Sequence, residues 1–192
     1  MKKLNGIFPV FLILAVLSAC STPPVEEMEK AENAVTKAEN DADAVTFAPN
    51  ILVRARDSLA RMQGEAEAKR YDSAKNFAAE AISTAERAIA EGKTGAARAS
   101  DEAASLIDSL PGLLAEVANT LNTAREAQNI DADFDSLSRD LDLARRSFED
   151  AKLSFQANRF QNAIAEAQKS RSMLANINRT LNNAAQVVSR KQ

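Results

Sequence analysis

In the last third of the chain, apolar residues recur three and four apart without a miss: Phe134, Leu137, Leu141, Ala144, Phe148, Ala151 and Phe155. That spacing puts all seven on one face of an α-helix. It is also the seam along which helices pack at shallow angles in bundles and coiled coils. Beyond Asn158, a residue type that tolerates a left-handed turn, the rhythm resumes. It runs through Phe160, Ala163, Ala167, Leu174, Ile177, Leu181, Ala184 and Val188, with Ser170 in the one polar place.

The same pattern runs upstream. Met28, Ala31, Val35, Ala38, Ala42 and Val45 form one stripe, and Leu52, Ala55, Leu59, Met62 and Ala66 form the next. Pro49 between them suits the first turn of a helix, where its missing N–H has no partner to lose. A turn is expected at Lys69-Arg70, followed by a helix through Tyr71, Ala74, Ala78, Ala81, Ala85 and Ala88. Gly92 and Gly95 read as its end, glycine being the usual C-cap. The stripe nevertheless resumes in phase at Ala99, Ala103, Leu106 and Leu110, so one long helix is the alternative. Pro111-Gly112 reads as a kink or a turn before Leu114, Val117, Leu121 and Ala124. Val and Ile are sparse while Ala, Glu, Lys, Arg and Leu dominate, which disfavours a sheet.

A shift of 89 residues brings two halves into register without a gap. Leu52, Ala55, Arg56 and Ser58 meet Leu141, Ala144, Arg145 and Ser147. Arg70 meets Arg159, Tyr71 meets Phe160, and Ala74 and Ala78 meet Ala163 and Ala167. Asn33 and Asn40 meet Asn122 and Asn129. The expected fold is therefore all-α: antiparallel helical hairpins forming a bundle or a short solenoid, from a duplicated three-helix unit. Unit one covers 25–91, unit two covers 114–188, and 92–113 connects them.

Tyr71-x2-Ala74-x3-Ala78-x2-Ala81 and Phe160-x2-Ala163-x3-Ala167-x2-Ser170 resemble the second-helix signature of a tetratricopeptide repeat. No Trp-x2-Leu-Gly precedes either, and the repeat distance is 89 rather than about 34. The segment from Thr46 to Ala88 is similar to a domain-of-unknown-function family found in bacterial envelope lipoproteins and beside envelope-binding domains. That resemblance implies an envelope address and a helical fold, and it supplies no activity. The six matched positions Tyr71, Ala74, Ala78, Phe160, Ala163 and Ala167 are expected at helix contacts.

The first residues read as an address. Lys2 and Lys3 precede an uncharged, mostly apolar stretch from Gly6 to Leu17. It fits the core of a secretory signal and is shorter than the ~20 residues of a transmembrane helix. Leu17-Ser18-Ala19-Cys20 resembles the lipobox of bacterial lipoproteins at all four positions. The resemblance implies cleavage after Ala19 and attachment of diacylglycerol to Cys20, with acylation of the new amino terminus. Cys20 is the chain's one cysteine, so no intramolecular disulfide can form. Two or more acyl chains would hold the protein stably on a membrane. Residues 1–19 are thus the expected signal peptide and 20–24 a lipidated tether. Ser21, in place of the aspartate associated with inner-membrane retention, favours the outer membrane and the periplasm.

Catalytic chemistry finds little footing. There is no histidine, and the one cysteine is committed to lipid, so the commonest general base and metal ligands are missing. Gly92-Lys93-Thr94 resembles the end of a phosphate-binding loop, but Arg87 stands where its first glycine belongs. Asp131 to Asp135 resembles the opening of a calcium loop, but Ser136 and Asp142 replace the glycine and glutamate it needs. The acidic run reads instead as the start of a helix. Lys191 is followed by Gln192, unlike the terminal lysine through which murein lipoprotein is joined to peptidoglycan. The net charge of −3 becomes −5 once Lys2 and Lys3 leave, which argues against nucleic acid. The expectation is a non-enzymatic, lipid-anchored scaffold or adaptor for another envelope protein, without cofactor or metal. The alternatives are a self-associating or peptidoglycan-associated spacer and an apolar-ligand carrier. The phenylalanines at 134, 148, 155 and 160 read as core.

Overall fold

The computed structural model describes residues 22–127 and 130–191, with side chains as far as residue 188. The expected signal segment, with Ala19, Cys20 and Ser21, lies outside the described residues. Among those residues there are six helices and no strand: α1 (Val25–Glu39), α2 (Ala42–Phe47), α3 (Pro49–Glu67), α4 (Tyr71–Glu126), α5 (Phe134–Gln156) and α6 (Phe160–Lys191). The protein is all-α and bundled.

The fold is organised by α4. Its 56 residues span about 84 Å at 1.5 Å per residue, and each half serves as one helix of a different three-helix bundle. In unit one, α3 runs antiparallel to α4, with the Arg61 guanidinium 5.8 Å from the Phe77 ring. α1 runs antiparallel to α3, as Arg56 to Glu39 (2.6 Å) and Gln63 to Glu32 (3.4 Å) show. Its start lies beside the start of α4 through Lys75 and Glu27, 3.7 Å apart. In unit two, α5 descends antiparallel to α4 and α6 returns parallel to it. Unit one is closed by Val35, Leu52, Ala55, Met62 and the alanines of α4. Unit two is closed by Leu110, Leu114, Val117, Leu137, Leu141, Leu174 and Ile177.

Several boundaries fall where local chemistry puts them. Pro49 is in the first turn of α3. Asp133 caps α5, its Oδ1 accepting from the Ser136 N–H at 2.9 Å. Lys69 and Asn158 both adopt left-handed backbone, at φ 60° and 56°. Around them the same bonds repeat at the 89-residue offset. Lys69 N–H donates to Ala66 and Arg70 N–H to Glu65, while Asn158 N–H donates to Phe155 and Arg159 N–H to Ser154, all at 2.9 Å. This is the Schellman helix ending, in which a left-handed residue satisfies the last carbonyls, and it occurs twice among the described residues.

Three expectations need correction. Of the two readings of Gly92 and Gly95, the helix end fails and the one long helix holds: both lie inside α4, and neither has positive φ. Their role is close approach. A Cβ on Gly92 would sit 2.5 Å from the Ala44 backbone nitrogen, and one on Gly95 would sit 2.5 Å from the Phe47 Cβ. α2 lies across α4 there, and only glycine lets it down. Pro111-Gly112 makes no turn either, and residues 92–113, which connect the two units, are part of α4. Both residues are exposed while Leu110 and Leu114 stay buried, so the bond lost to proline falls on the solvent side. Finally, Val45 is 47% exposed and Ala42 is exposed, whereas Ala44 is buried. Asp41 starts α2 afresh, its Oδ1 accepting from the Ala44 N–H at 2.8 Å, and the restart resets the phase of the α1 stripe.

Gly92→Ala should therefore destabilise the protein by about 1–3 kcal/mol through backbone overpacking, despite alanine's better helix propensity. Gly112→Ala, where an added Cβ meets nothing within 4 Å, should stabilise it by about 0.5–1 kcal/mol. Urea denaturation followed by far-UV circular dichroism measures both; equal and like-signed shifts would be inconsistent with the α2 contact.

Candidate functional site

Of the six positions expected at helix contacts, the four alanines (74, 78, 163 and 167) are fully buried and the two aromatic rings are half-buried. Ala74 and Ala78 have no exposed surface and belong to unit one, facing the side of α4 on which α3 and α1 close. Ala167, equally buried, belongs to unit two. Tyr71 and Phe160 are half-buried at the two helix starts. Alanine at these positions brings neighbouring axes towards the short end of the usual 8–10 Å range. Ser170 fills the polar gap in the unit-two row by donating from its Oγ to the Ala144 carbonyl at 2.8 Å. Unit one has Ala81 at the corresponding place and needs no such bond.

Between the bundles lies a third, small core. Ala99 and Ala103 of α4 meet Ala163 and Ile164 of α6, and Phe47, Phe155 and Phe160 pack around them. The Phe155 and Phe160 ring centroids are 5.7 Å apart with planes at 60°, a favourable tilted aromatic arrangement. This junction gathers Phe47 of α2 and Phe155 and Phe160 beside the α5–α6 turn around one patch of α4 and α6. Sequence reasoning missed it. The signal available was the phase of the stripe, which carries on past Gly92 and Gly95 into Ala99 and Ala103.

At the far end, α4 and α6 separate around a hollow of about 460 Å³ with an apolar wall that includes Ala124, Ile130, Leu181 and Ala185. By the 89-residue offset Leu181 stands where unit one has Gly92. A leucine there leaves no seat for a crossing helix like α2, and the hollow stays open. Arg125 braces this end, donating from Nη2 to the Phe134 carbonyl (3.2 Å) and the Ser138 hydroxyl (2.8 Å).

The electrostatics are those of a solvated surface. The resolved pKa shifts belong to two exposed ion pairs. Hydrogen bonds from Lys30 and Arg70 hold the Glu26 and Glu65 carboxyls below the usual range, and both cations are raised in return. Among the described residues no group of three or more His, Cys, Asp or Glu side chains is placed to hold a metal ion, and every buried side-chain polar atom has a hydrogen-bond partner. No helix of the described residues is long and apolar enough to cross a membrane.

Residues 26–104 match the family described as a domain of unknown function, DUF4398. The matched stretch takes in α1, α2, α3 and α4 as far as the junction alanines, so it includes the glycine seat of α2. No curated protein and no solved structure matches the chain.

Phe155→Ala should cost about 2 kcal/mol, below the usual range for a fully buried phenylalanine because the ring is half-buried. It should also split a single urea transition into two, as the α4–α6 core between the two units loosens. A single transition at an unchanged midpoint would show that the junction couples nothing.

Proposed function

We propose that this chain is an outer-membrane lipoprotein, anchored through Cys20 and facing the periplasm, that acts as a non-enzymatic helical scaffold or adaptor for another envelope protein. The observation that carries the reading is an elongated body of two bundles on one spine, beginning five residues after the lipobox cysteine. α1 starts at Val25 beside the start of α4, so a lipid at Cys20 would hold unit one near the membrane and carry unit two outward along about 84 Å of helix. Long helical faces of this kind suit the binding of extended or helical segments. The match over residues 26–104 agrees with a helical module and assigns it no activity.

The far-end hollow supports one second reading, an apolar ligand held between α4 and α6. Native mass spectrometry of the purified protein separates the two: a stoichiometric co-purified small molecule favours the carrier, and its absence favours the adaptor.

Cys20→Ser should abolish acylation and leave the signal uncleaved by the lipoprotein route. The intact mass of the mature chain should carry two or more acyl groups in the natural protein and none in the variant. With residues 1–19 also replaced by a cleavable export signal that has no lipobox, the Cys20→Ser chain should leave the membrane in a high-salt wash. If that chain stays on the membrane, the lipid is not what holds it there.

A further inference from the structure

The two Schellman turns differ in what stands opposite their last arginine. That ending brings the side chain of its sixth residue back towards that of its first, and in unit one these are Arg70 and Glu65. Arg70 donates from Nε and Nη2 to both carboxylate oxygens, the second bond at 2.8 Å. At the 89-residue offset Arg159 takes the place of Arg70, and Ser154 takes the place of Glu65. Ser154 is 8% exposed and uncharged. Arg159 therefore makes no ion pair or side-chain hydrogen bond among the described residues. The neighbours change in the same direction: Lys69, Asp72 and Ser73 of unit one become Asn158, Gln161 and Asn162. Two charges and a hydroxyl have become three carboxamides, and their side chains are likewise uncommitted.

This altered turn forms one wall of a hollow of about 310 Å³ at the junction of the units, with α2 as the other wall. Phe47 and Phe160 contribute rings that are half-buried, and Asp43 and Thr46 stand on the α2 side. The unit-one turn has no second unit beside it to make such a wall.

The chemistry selects a class of ligand. Aromatic rings accept an apolar face. Carboxamides both donate and accept, and an unpaired guanidinium takes a carboxylate in a two-bond fork. Asp43 can accept from hydroxyls. We propose that the junction hollow binds a carboxylated, N-acetylated glycan, the sugar's apolar face on Phe47 and Phe160, its acetamido and hydroxyl groups on Asn158, Asn162 and Asp43, and its carboxylate on Arg159. The inference deepens the envelope reading, because an envelope address puts the protein beside such polymers, but the binding itself requires no anchor.

The test is calorimetric titration of the full-length protein in detergent micelles with peptide-free glycan strands of peptidoglycan, whose lactyl groups are free carboxylates. Chito-oligosaccharides of equal length supply the same acetamido groups without the carboxylate, and oligouronates supply the carboxylate without the acetamido group. The strands should bind saturably and both controls at least ~10-fold more weakly. Arg159→Ala should weaken strand binding by about 10-fold, and Asn162→Ala should weaken it in the same direction. Arg70→Ala, at the matching place in unit one, should leave it unchanged. All three positions are exposed, and unaltered circular dichroism would verify the fold. No saturable binding of the strands, equal binding of either control, or Arg70→Ala matching Arg159→Ala would overturn the proposal. Cys20→Ser protein should bind the strands as well as the natural chain, so loss of anchoring and loss of glycan binding are read separately.

Discussion

Everything in the fold depends on how closely other helices can approach α4. Its inner face is made of alanine and glycine from Ala74 to Ala103, then of leucine and valine from Leu110 to Leu121. The small half admits three neighbours, and at Gly92 it admits the backbone of α2 itself. The large half packs α5 and α6 through bulkier side chains. One helix thus carries two packing regimes, and the change between them coincides with the junction core. Dispersion is short-ranged, so a lost methylene of contact at the close crossings is felt. That makes the absent Cβ of Gly92 a structural requirement, although the backbone there is ordinary helix.

The repeated turns show what duplication kept and what it released. Both copies keep the left-handed residue and the paired backbone bonds, because a helix reversing into its neighbour has to satisfy its last carbonyls. Asparagine adopts that backbone more readily than lysine, and the two copies tolerate either. The side chains over the turn are under no such demand. Glu65 and Arg70 cancel one another in unit one, whereas unit two sets Arg159 beside carboxamides and aromatic rings. Likewise Ser170 replaces an alanine by adding one buried hydrogen bond to a carbonyl of the facing helix. Backbone geometry is held in common, and chemistry diverges on top of it.

Much of this was legible in the residues. The 3-4 stripes gave the helix faces, Pro49 and Asp133 marked helix starts, and Lys69-Arg70 and Asn158 marked the reversals. What misled was non-local. Glycine is read as a stop because its backbone is free, but at Gly92 and Gly95 the deciding fact is the arrival of Ala44 and Phe47 from a distant segment. Pro111 is read as a break because it removes a hydrogen bond, but the buried leucines on either side outweigh one bond lost at the surface. The α1 stripe ran one turn too far because Asp41 restarts the helix at Ala42. The junction hollow could not be seen at all, since residues 43–47 and 158–162 meet only once the two units are stacked on a common spine.

The continuity of α4 through residues 92–113 is the claim on which the rest stands. Spin labels at Arg87 and Glu116, both exposed on α4, with Cys20 replaced by serine, measure it directly by double electron–electron resonance. An unbroken helix places the two sites about 44 Å apart along its axis, and the expected result is one narrow distribution near that value. A broad distribution, or one centred below about 35 Å, where 29 residues of continuous helix cannot reach, would mean that the chain turns between the glycines and the proline and that the two bundles do not share a spine.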